Sequence, residues 1–206
     1  MSDQFGLFAP PVPPSREVPR PRLRSRANRH ALFLAIRPSV ADAARLAAHA
    51  AAEDARLGIG GGPVEAGRLH VSLFGLVDYT DRYPAEAVEQ WMNALDTVRV
   101  APFDVVFDTV ATFGGQGNPL VLRSREAAPV AGVRQLHAAI GRALADSGEK
   151  LKWSSDEPHM TTSYSGRRIV DTAIEPVAWT AREFALIDSH VGAHLHEVLA
   201  TWPLRG

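Results

Sequence analysis

The chain has 206 residues, of which 46% are hydrophobic and 22% are charged, and its formal net charge is −1. This composition is typical of a globular protein with one substantial core or two small lobes. Because the sequence contains no cysteine, disulfides, thiol nucleophiles and cysteine-ligated zinc sites are excluded. No apolar run approaches the roughly 20 residues of a membrane span, and the N-terminus lacks the pattern of a signal peptide. We therefore expect a cytoplasmic protein that does not bind a membrane.

Residues 1–29 are rich in proline and arginine and contain few residues suited to a core. This composition predicts a disordered tail, followed by a single folded domain over residues 30–206. The tail is basic, so it can contact RNA or a membrane, or it can simply keep the protein in solution; we favour the second interpretation. The acidic remainder is a poor clamp for long nucleic acid, which is held through many phosphate contacts, but it can hold one phosphate.

The folded part begins with an apolar run, "HALFLAI" (30–36), which predicts a buried strand. The next stretch predicts a helix with Ser39 as its N-cap, Asp42 in its first turn and Gly58 at its end. The connection "GIGGGP" lacks the Lys and Ser/Thr of a phosphate-binding loop. A strand near 67–75 is predicted to follow it.

Helices and strands continue to alternate along the rest of the chain. "PFDVVFDTVATFG" and "NPLVLRS" predict a hairpin with its turn at "GGQGN". The close spacing of such strands favours antiparallel pairing and an α+β fold. The remaining predicted elements are a helix from Pro84 to about Val98, a helix that presents Val133, Leu136, Ile140 and Leu144 on one face, and strands near 158–164, 182–189 and 194–202.

Two copies of one short motif, H-x-[Ser/Thr], are the strongest functional signal. His70 and Ser72 lie in the strand predicted near 67–75, and His159 and Thr161 lie in "EPHMTTSYS". Because side chains of a strand alternate between its faces, each His shares a face with its hydroxyl. A motif this short also arises by chance, but each copy lies in a predicted strand and in a separate half of the chain.

Two histidines and two hydroxyls fit phosphoryl transfer without a metal ion. One neutral imidazole can accept a proton from water while a protonated imidazole gives one to the leaving oxygen. The hydroxyls of Ser72 and Thr161 then donate hydrogen bonds to the non-bridging phosphate oxygens, where charge accumulates.

The pair "HVSL" and "HMTT" resembles the signature of the two-histidine (2H) phosphoesterase superfamily. More closely, the chain resembles the bacterial RNA 2′,3′-cyclic phosphodiesterase family, also called 2′-5′ RNA ligase. "ALFLAIRP" is similar to that family's first strand, "RLHVSLFGL" and "EPHMTTSYSGRR" to its two motifs, and "EFALIDSHVGAHLHEVLATWPL" to its final strands. The resemblance implies two pseudo-symmetric lobes, each an antiparallel sheet with outer helices, around a central cleft.

The resemblance also implies a reaction and roles for residues. The reaction is hydrolysis of an RNA 2′,3′-cyclic phosphate end to a 2′-phosphate without metal or cofactor, and 2′-5′ ligation without ATP is its counterpart. His70 is then the general acid at the 3′ leaving oxygen and His159 the general base on water, although the pseudo-symmetry leaves the reverse assignment open. Tyr164 and Arg167, or its neighbour Arg168, are candidate substrate contacts. We expect a monomer that acts on an RNA end or a small cyclic-phosphate nucleotide.

Other interpretations of the sequence stay open. The chain can be a phosphodiesterase for another small cyclic nucleotide or phosphodiester, or an RNA-end binding module without turnover. In "HVGAHLH", His194 and His196 would share a strand face near Asp188 or Glu197, but zinc needs about four well-placed ligands, so we expect no metal site. His30, His49 and His137 are predicted to be surface or helix residues.

Overall fold

The computed structural model describes residues 17–21, 29–113, 118–145, 148, 151–164 and 167–206. Most of the predicted tail and nearly all of the predicted "GGQGN" turn lie outside these residues. Helices α1, α2 and α3 span Val40–Leu57, Ala85–Leu95 and Ala131–Ala145. Strands β1 to β10 span, in order, His30–Ile36, Gly62–Pro63, Val71–Tyr79, Phe103–Thr112, Pro119–Arg123, Trp153–Ser154, His159–Tyr164, Thr172–Ala181, Glu183–His190 and Leu195–Pro203.

The main strands form one antiparallel sheet in the order β10-β9-β1-β3-β7-β5-β4-β8. The order divides into two halves of four strands, β10-β9-β1-β3 and β7-β5-β4-β8, which meet where β3 pairs with β7. The first half also contains the two C-terminal strands, so the chain leaves it and returns. The prediction of an α+β fold with two antiparallel lobes is confirmed.

Helix α1 begins and ends where its sequence predicts. The Ser39 side chain accepts a hydrogen bond from the backbone N–H of Asp42 at 3.1 Å. Gly58 adopts a left-handed conformation with φ 61°, which costs glycine little because it has no Cβ. Both caps are local interactions, and this explains why sequence alone located the ends of α1.

One face of the sheet packs against the helices and forms the main core. The predicted apolar stripe of α3 is confirmed, because its four residues are at most 2% exposed. From the sheet, alternate residues of β1, Leu32, Leu34 and Ile36, enter the same core. Their neighbours Phe33 and Ala35 face the other way and form a separate cluster with Ala185 and Ile187 of β9. We call this second side the cleft face.

The structure differs from the sequence prediction at β3, α2 and β8. Strand β3 starts at Val71, four residues later than predicted, because residues 66–68 form a 3₁₀ turn and pairing with β1 begins at Ile36. Helix α2 ends at Leu95 rather than near Val98. The pattern of β8 was missed because Pro176 interrupts it, and β8 tolerates a proline because it lies at an edge of the sheet.

Part of the predicted tail contacts the folded domain. Val18 packs against the core, and the Tyr83 hydroxyl donates a hydrogen bond to the carbonyl of Pro19 at 2.6 Å. Among the described residues, no helix has the length and apolar character needed to cross a membrane.

A chain shortened to begin at Arg29 should fold with a slightly lower Tm. Losing the partly buried Val18 side chain costs about 1 kcal/mol, which lowers Tm by about 2–4 °C in a chain of this size. A chain that begins at Glu17 keeps this contact and is the matched control. Thermal denaturation followed by circular dichroism measures both; failure of the shorter chain to fold would contradict the account.

Candidate active site

Among the described residues, β3 and β7 join the two halves of the sheet through one residue pair. Val71 of β3 pairs with Met160 of β7, and both side chains are fully buried at 0% exposure. Each of these residues is the middle position of an H-x-[Ser/Thr] motif. The buried pair therefore fixes how the two motifs lie relative to each other.

Continuing this antiparallel register by one residue on each side sets His70 opposite Thr161 and Ser72 opposite His159. Directly opposite residues share a face of the sheet, with Cβ atoms about 4.5–5.5 Å apart. The middle residues of the motifs point into the core, so all four polar side chains lie on the cleft face. The sequence prediction that each His shares a face with its hydroxyl agrees with this register, and the register adds that each His faces the other motif's hydroxyl.

Both histidines are held in the same way by the backbone. Nδ1 of His70 lies 2.7 Å from the carbonyl oxygen of Arg68, and Nδ1 of His159 lies 2.7 Å from that of Glu157. A carbonyl only accepts hydrogen bonds, so Nδ1 carries the proton in both rings. In the neutral imidazole this leaves Nε2 as the basic nitrogen. The two rings thus make the same backbone contact, and each has one nitrogen for proton transfer.

Each motif ends at a β-bulge. Ala35 of β1 pairs with Ser72 and Leu34 pairs with Phe74, so Leu73 is an extra residue on β3. Bulges bend a strand and increase its local twist, and they are common beside active sites. The matching position in the second motif shows the same irregularity.

The second bulge determines which way Tyr164 points. Val121 of β5 pairs with Thr161 and Leu120 pairs with Ser163, so Thr162 is the extra residue on β7. Regular alternation would put Tyr164 on the face opposite His159, since the two are five residues apart. The bulge restores Tyr164 to the face of Thr161, where it is 52% exposed. Its candidate role as a substrate contact is compatible with this position.

Aromatic rings surround the two histidines on the cleft face. The rings of Phe33 and His70 have centroids 5.2 Å apart, and those of Phe113 and His159 are 4.5 Å apart. The ring of His196 on β10 lies 5.3 Å from that of His70. Burial, together with nearby positive groups including His70, lowers the pKa of His196 to about 3. His196 is therefore a neutral ring beside the first motif.

The predicted pairing of His194 with His196 on one strand face is wrong. His194 is exposed in the turn before β10, with φ 54°. Strand β10 begins only at Leu195, so the alternation does not extend back to His194. From the sequence, His196 entered only a metal hypothesis that was not favoured, whereas in the structure its ring contacts that of His70.

Burial lowers the pKa of His70 to about 4, although its hydrogen bond to the Arg68 carbonyl acts in the opposite direction. The positive groups of His159, Arg37 and Arg68 lower the pKa further. In the ligand-free protein His70 is therefore neutral at pH 7. The same positive groups favour an anion in this part of the cleft.

Two arginines that the sequence analysis missed lie opposite the histidines. Arg123 of β5 pairs directly with His159, and it also contacts the carboxylates of Glu157 and Asp171. Extending the Ile36–Val71 register by one residue sets Arg37 opposite His70. The Arg37 guanidinium donates a hydrogen bond to the carbonyl of Gly67 at 2.7 Å. Neither arginine belongs to a local motif, so sequence gave no signal for them.

The candidate contact Arg167 takes a different position. Its Nη1 donates a hydrogen bond to the carbonyl of Gly58 at 2.5 Å, at the C-terminal end of α1. A cation is favourable there, because the end of a helix carries partial negative charge. This contact gives Arg167 a structural role. Its neighbour Arg168 is exposed.

A family model described as the 2′-5′ RNA ligase superfamily matches residues 36–193. Among solved structures, Escherichia coli LigT complexed with 3′-AMP is similar, with a TM-score of 0.66, 21% identity, and coverage of 86% of this chain and 99% of that one. LigT complexed with phosphate has a TM-score of 0.63 and 20% identity, covering 87% and 100%.

A protein of Thermus thermophilus has a TM-score of 0.60 and 22% identity, covering 85% of this chain and 98% of that one. At these identities the structural likeness shows the fold alone. No curated protein matches the chain.

The protonation of His70 can be measured directly. Nitrogen-15 NMR of the imidazoles should show His70 neutral, with its proton on Nδ1, down to about pH 5, because burial lowers its pKa to about 4. Inorganic phosphate should raise the midpoint, since an adjacent anion favours the imidazolium. The imidazole signals of His194, which is exposed in the turn before β10, serve as the internal control. A ligand-free midpoint near the ordinary value of about 6.5 would contradict the account.

Proposed function

The chain belongs to the 2′-5′ RNA ligase superfamily of enzymes acting on phosphodiesters, and from that premise we propose that it hydrolyses RNA 2′,3′-cyclic phosphate ends to 2′-phosphates. One observation carries the proposal: the two H-x-[Ser/Thr] motifs meet across the buried Val71–Met160 pair. This register supports one phosphate site with two acid–base groups and two hydrogen-bond donors.

In the proposed reaction, water attacks the phosphorus and Nε2 of His159 takes its proton. The bond from phosphorus to the 3′ oxygen breaks, and His70 gives the proton of its Nε2 to that oxygen. The products are a 3′-hydroxyl and a 2′-phosphate. His70 must be protonated for this role, and the anionic substrate raises its pKa in the complex. The pseudo-symmetry of the site keeps the reverse assignment as the alternative.

The site supplies positive charge and donors for the phosphate. The hydroxyls of Ser72 and Thr161 donate to its non-bridging oxygens, which become more negative in the transition state. The positive charges of Arg37 and Arg68, which lower the pKa of His70, also stabilise the negatively charged phosphate. No metal ion is required for these steps.

A nucleotide substrate is supported by the ring-lined cleft face and by LigT, whose structure is a complex with 3′-AMP. Exposed aromatic rings such as Tyr164 stack on bases with little preference for sequence, which contributes about 1–3 kcal/mol per base. Ligation is the same displacement with a 5′-hydroxyl in place of water. It forms a 2′-5′ bond and needs no ATP, because the cyclic phosphate is already the reactive group.

The histidines are tested with a short RNA that ends in a 2′,3′-cyclic phosphate. His70→Ala and His159→Ala should each lower kcat by about 10²–10⁴, the usual contribution of one acid–base group, and the native product should be a 2′-phosphate. His194→Ala is the matched control and should keep full activity. Full activity in either active-site variant would contradict the proposal.

The same two variants assign the acid and the base. A p-nitrophenyl phosphodiester has a leaving group that needs little protonation. On this substrate His70→Ala should lose much less activity than His159→Ala if His70 is the acid. The opposite order would establish the reverse assignment. A folded native protein that binds the RNA end without turnover would instead indicate a binding module.

The hydroxyl groups are tested on the same RNA. Ser72→Ala and Thr161→Ala should each lower kcat by about 10²–10³, as measured when one donor to a developing oxyanion is removed, with KM changed much less. Ser163→Ala is the matched control on β7, because its hydroxyl faces Asp54 of α1. Unchanged kcat in both Ser72→Ala and Thr161→Ala would exclude hydroxyl stabilisation of the phosphate.

A further inference from the structure

A second cluster of histidines and carboxylates lies on the opposite face of the same sheet. Ligand atoms of His30, Asp188 and His190 all lie within 4.8 Å of one another. The β1–β9 register pairs His30 with His190 and Leu32 with Asp188, so the cluster lies on the face that packs against the helices. His30 lies six residues along β1 from Ile36, which pairs with Val71 of the first motif. At 3.3 Å per residue this is a distance of about 20 Å. The cluster is therefore separate from the catalytic histidines.

Its polar atoms are buried without enough partners. Asp188 and His190 are 0% and 1% exposed. Within the part of the chain that the structure describes, Asp188 Oδ1 and both ring nitrogens of His190 are buried and have no hydrogen-bond partner. Leaving such groups without a partner destabilises the folded state, and more so when they are charged. Of these three atoms, His190 Nε2 is the one that faces the carboxylates of Asp188 and Glu197, and a ligand bound between these groups would satisfy it.

The separations fit a tetrahedral zinc ion. With bonds of about 2.1 Å, two ligand atoms of such a site lie about 3.4 Å apart. His190 Nε2 lies 3.4 Å from Asp188 Oδ2 and 3.6 Å from Glu197 Oε2. Both separations are at or beyond the long limit for hydrogen bonds and match the edges of the tetrahedron. His30 Nδ1 lies 2.9 Å from Asp188 Oδ2. It needs to move by only about 0.5 Å to reach the edge length of the tetrahedron.

We propose that His30, Asp188 and His190 bind one structural zinc ion, and that Glu197, whose Oε2 lies 3.6 Å from His190 Nε2, turns toward the ion as its fourth ligand. Two imidazoles and two carboxylates are suitable zinc ligands, and the two carboxylates neutralise the dication. The Tyr79 hydroxyl donates a hydrogen bond to Asp188 Oδ2 at 2.8 Å, which is the outer contact that orients metal-binding carboxylates.

The ion would connect three adjacent strands. His30 begins β1, Asp188 and His190 end β9, and Glu197 lies opposite Asp188 on β10. The sequence favoured no metal site and predicted a surface or helix position for His30. No local motif joins the ligands, because His30 is 158 residues from Asp188 along the chain.

The first test uses the native protein. Purified without chelator, it should retain one zinc per chain by elemental analysis. The Tm in EDTA should be about 5–10 °C lower than the Tm measured with zinc at 100 times its Kd. Adding zinc back should restore the higher Tm. Cobalt(II) in the emptied protein should give the visible spectrum of a tetrahedral site. No retained metal and no Tm response to zinc would overturn the proposal.

Variants then locate the site. His190→Gln should weaken zinc binding by more than the roughly 10–100-fold that outer contacts alone contribute. Glu197→Gln tests the same point at a partly exposed position, should His190→Gln fail to fold. His194→Ala, in the neighbouring turn, is the matched control and should bind zinc normally. The assignment would be overturned if Glu197→Gln and a folded His190→Gln both bound zinc as tightly as the native protein does.

The experiment also separates this site from the proposed reaction. Zinc content and Tm are measured without any substrate, so they do not depend on the proposed activity. Below both Tm values, EDTA should leave turnover of the cyclic phosphate unchanged, since the cluster and the catalytic histidines lie on opposite faces. Loss of turnover on EDTA treatment, restored by zinc, would overturn the structural role.

Discussion

The pairing of Val71 with Met160 is the contact on which the functional geometry depends. It is the position where β3 pairs with β7 and where the two halves of the sheet meet. Because both side chains are buried in the core, a shift of one residue in either strand would expose an apolar side chain and bury a histidine. Hydrophobic burial therefore maintains the alignment of the two motifs, and the polar residues do not have to provide that stability themselves.

The two faces of this sheet have different chemistry. On the cleft face, two histidines have Nδ1 bound by backbone carbonyls and Nε2 available, and nearby arginines favour an anion. On the helix-covered face, the cluster around Asp188 contains buried polar atoms that have no hydrogen-bond partner among the described residues. One sheet can thus carry the proposed catalytic site on one side and the proposed zinc site on the other, because side chains alternate between faces along each strand.

Local interactions explain what could be predicted from the sequence. The caps of α1 and the apolar stripe of α3 depend on residues a few positions apart, and each H-x-[Ser/Thr] pair depends on alternation within one strand. The orientation of Tyr164 could not be predicted, because it depends on a bulge at Thr162 that only the pairing with β5 reveals. His196, Arg37 and Arg123 were missed for a similar reason: their relation to the histidines arises from pairing or packing between strands.

The most direct test of this account is a crystal structure of the protein with inorganic phosphate. The account predicts one phosphate with its oxygens about 2.7–3.1 Å from Nε2 of both His70 and His159 and within reach of both motif hydroxyls. Phosphate bound by one motif only, or bound elsewhere while the cleft holds none, would contradict the claim that the two motifs form a single site.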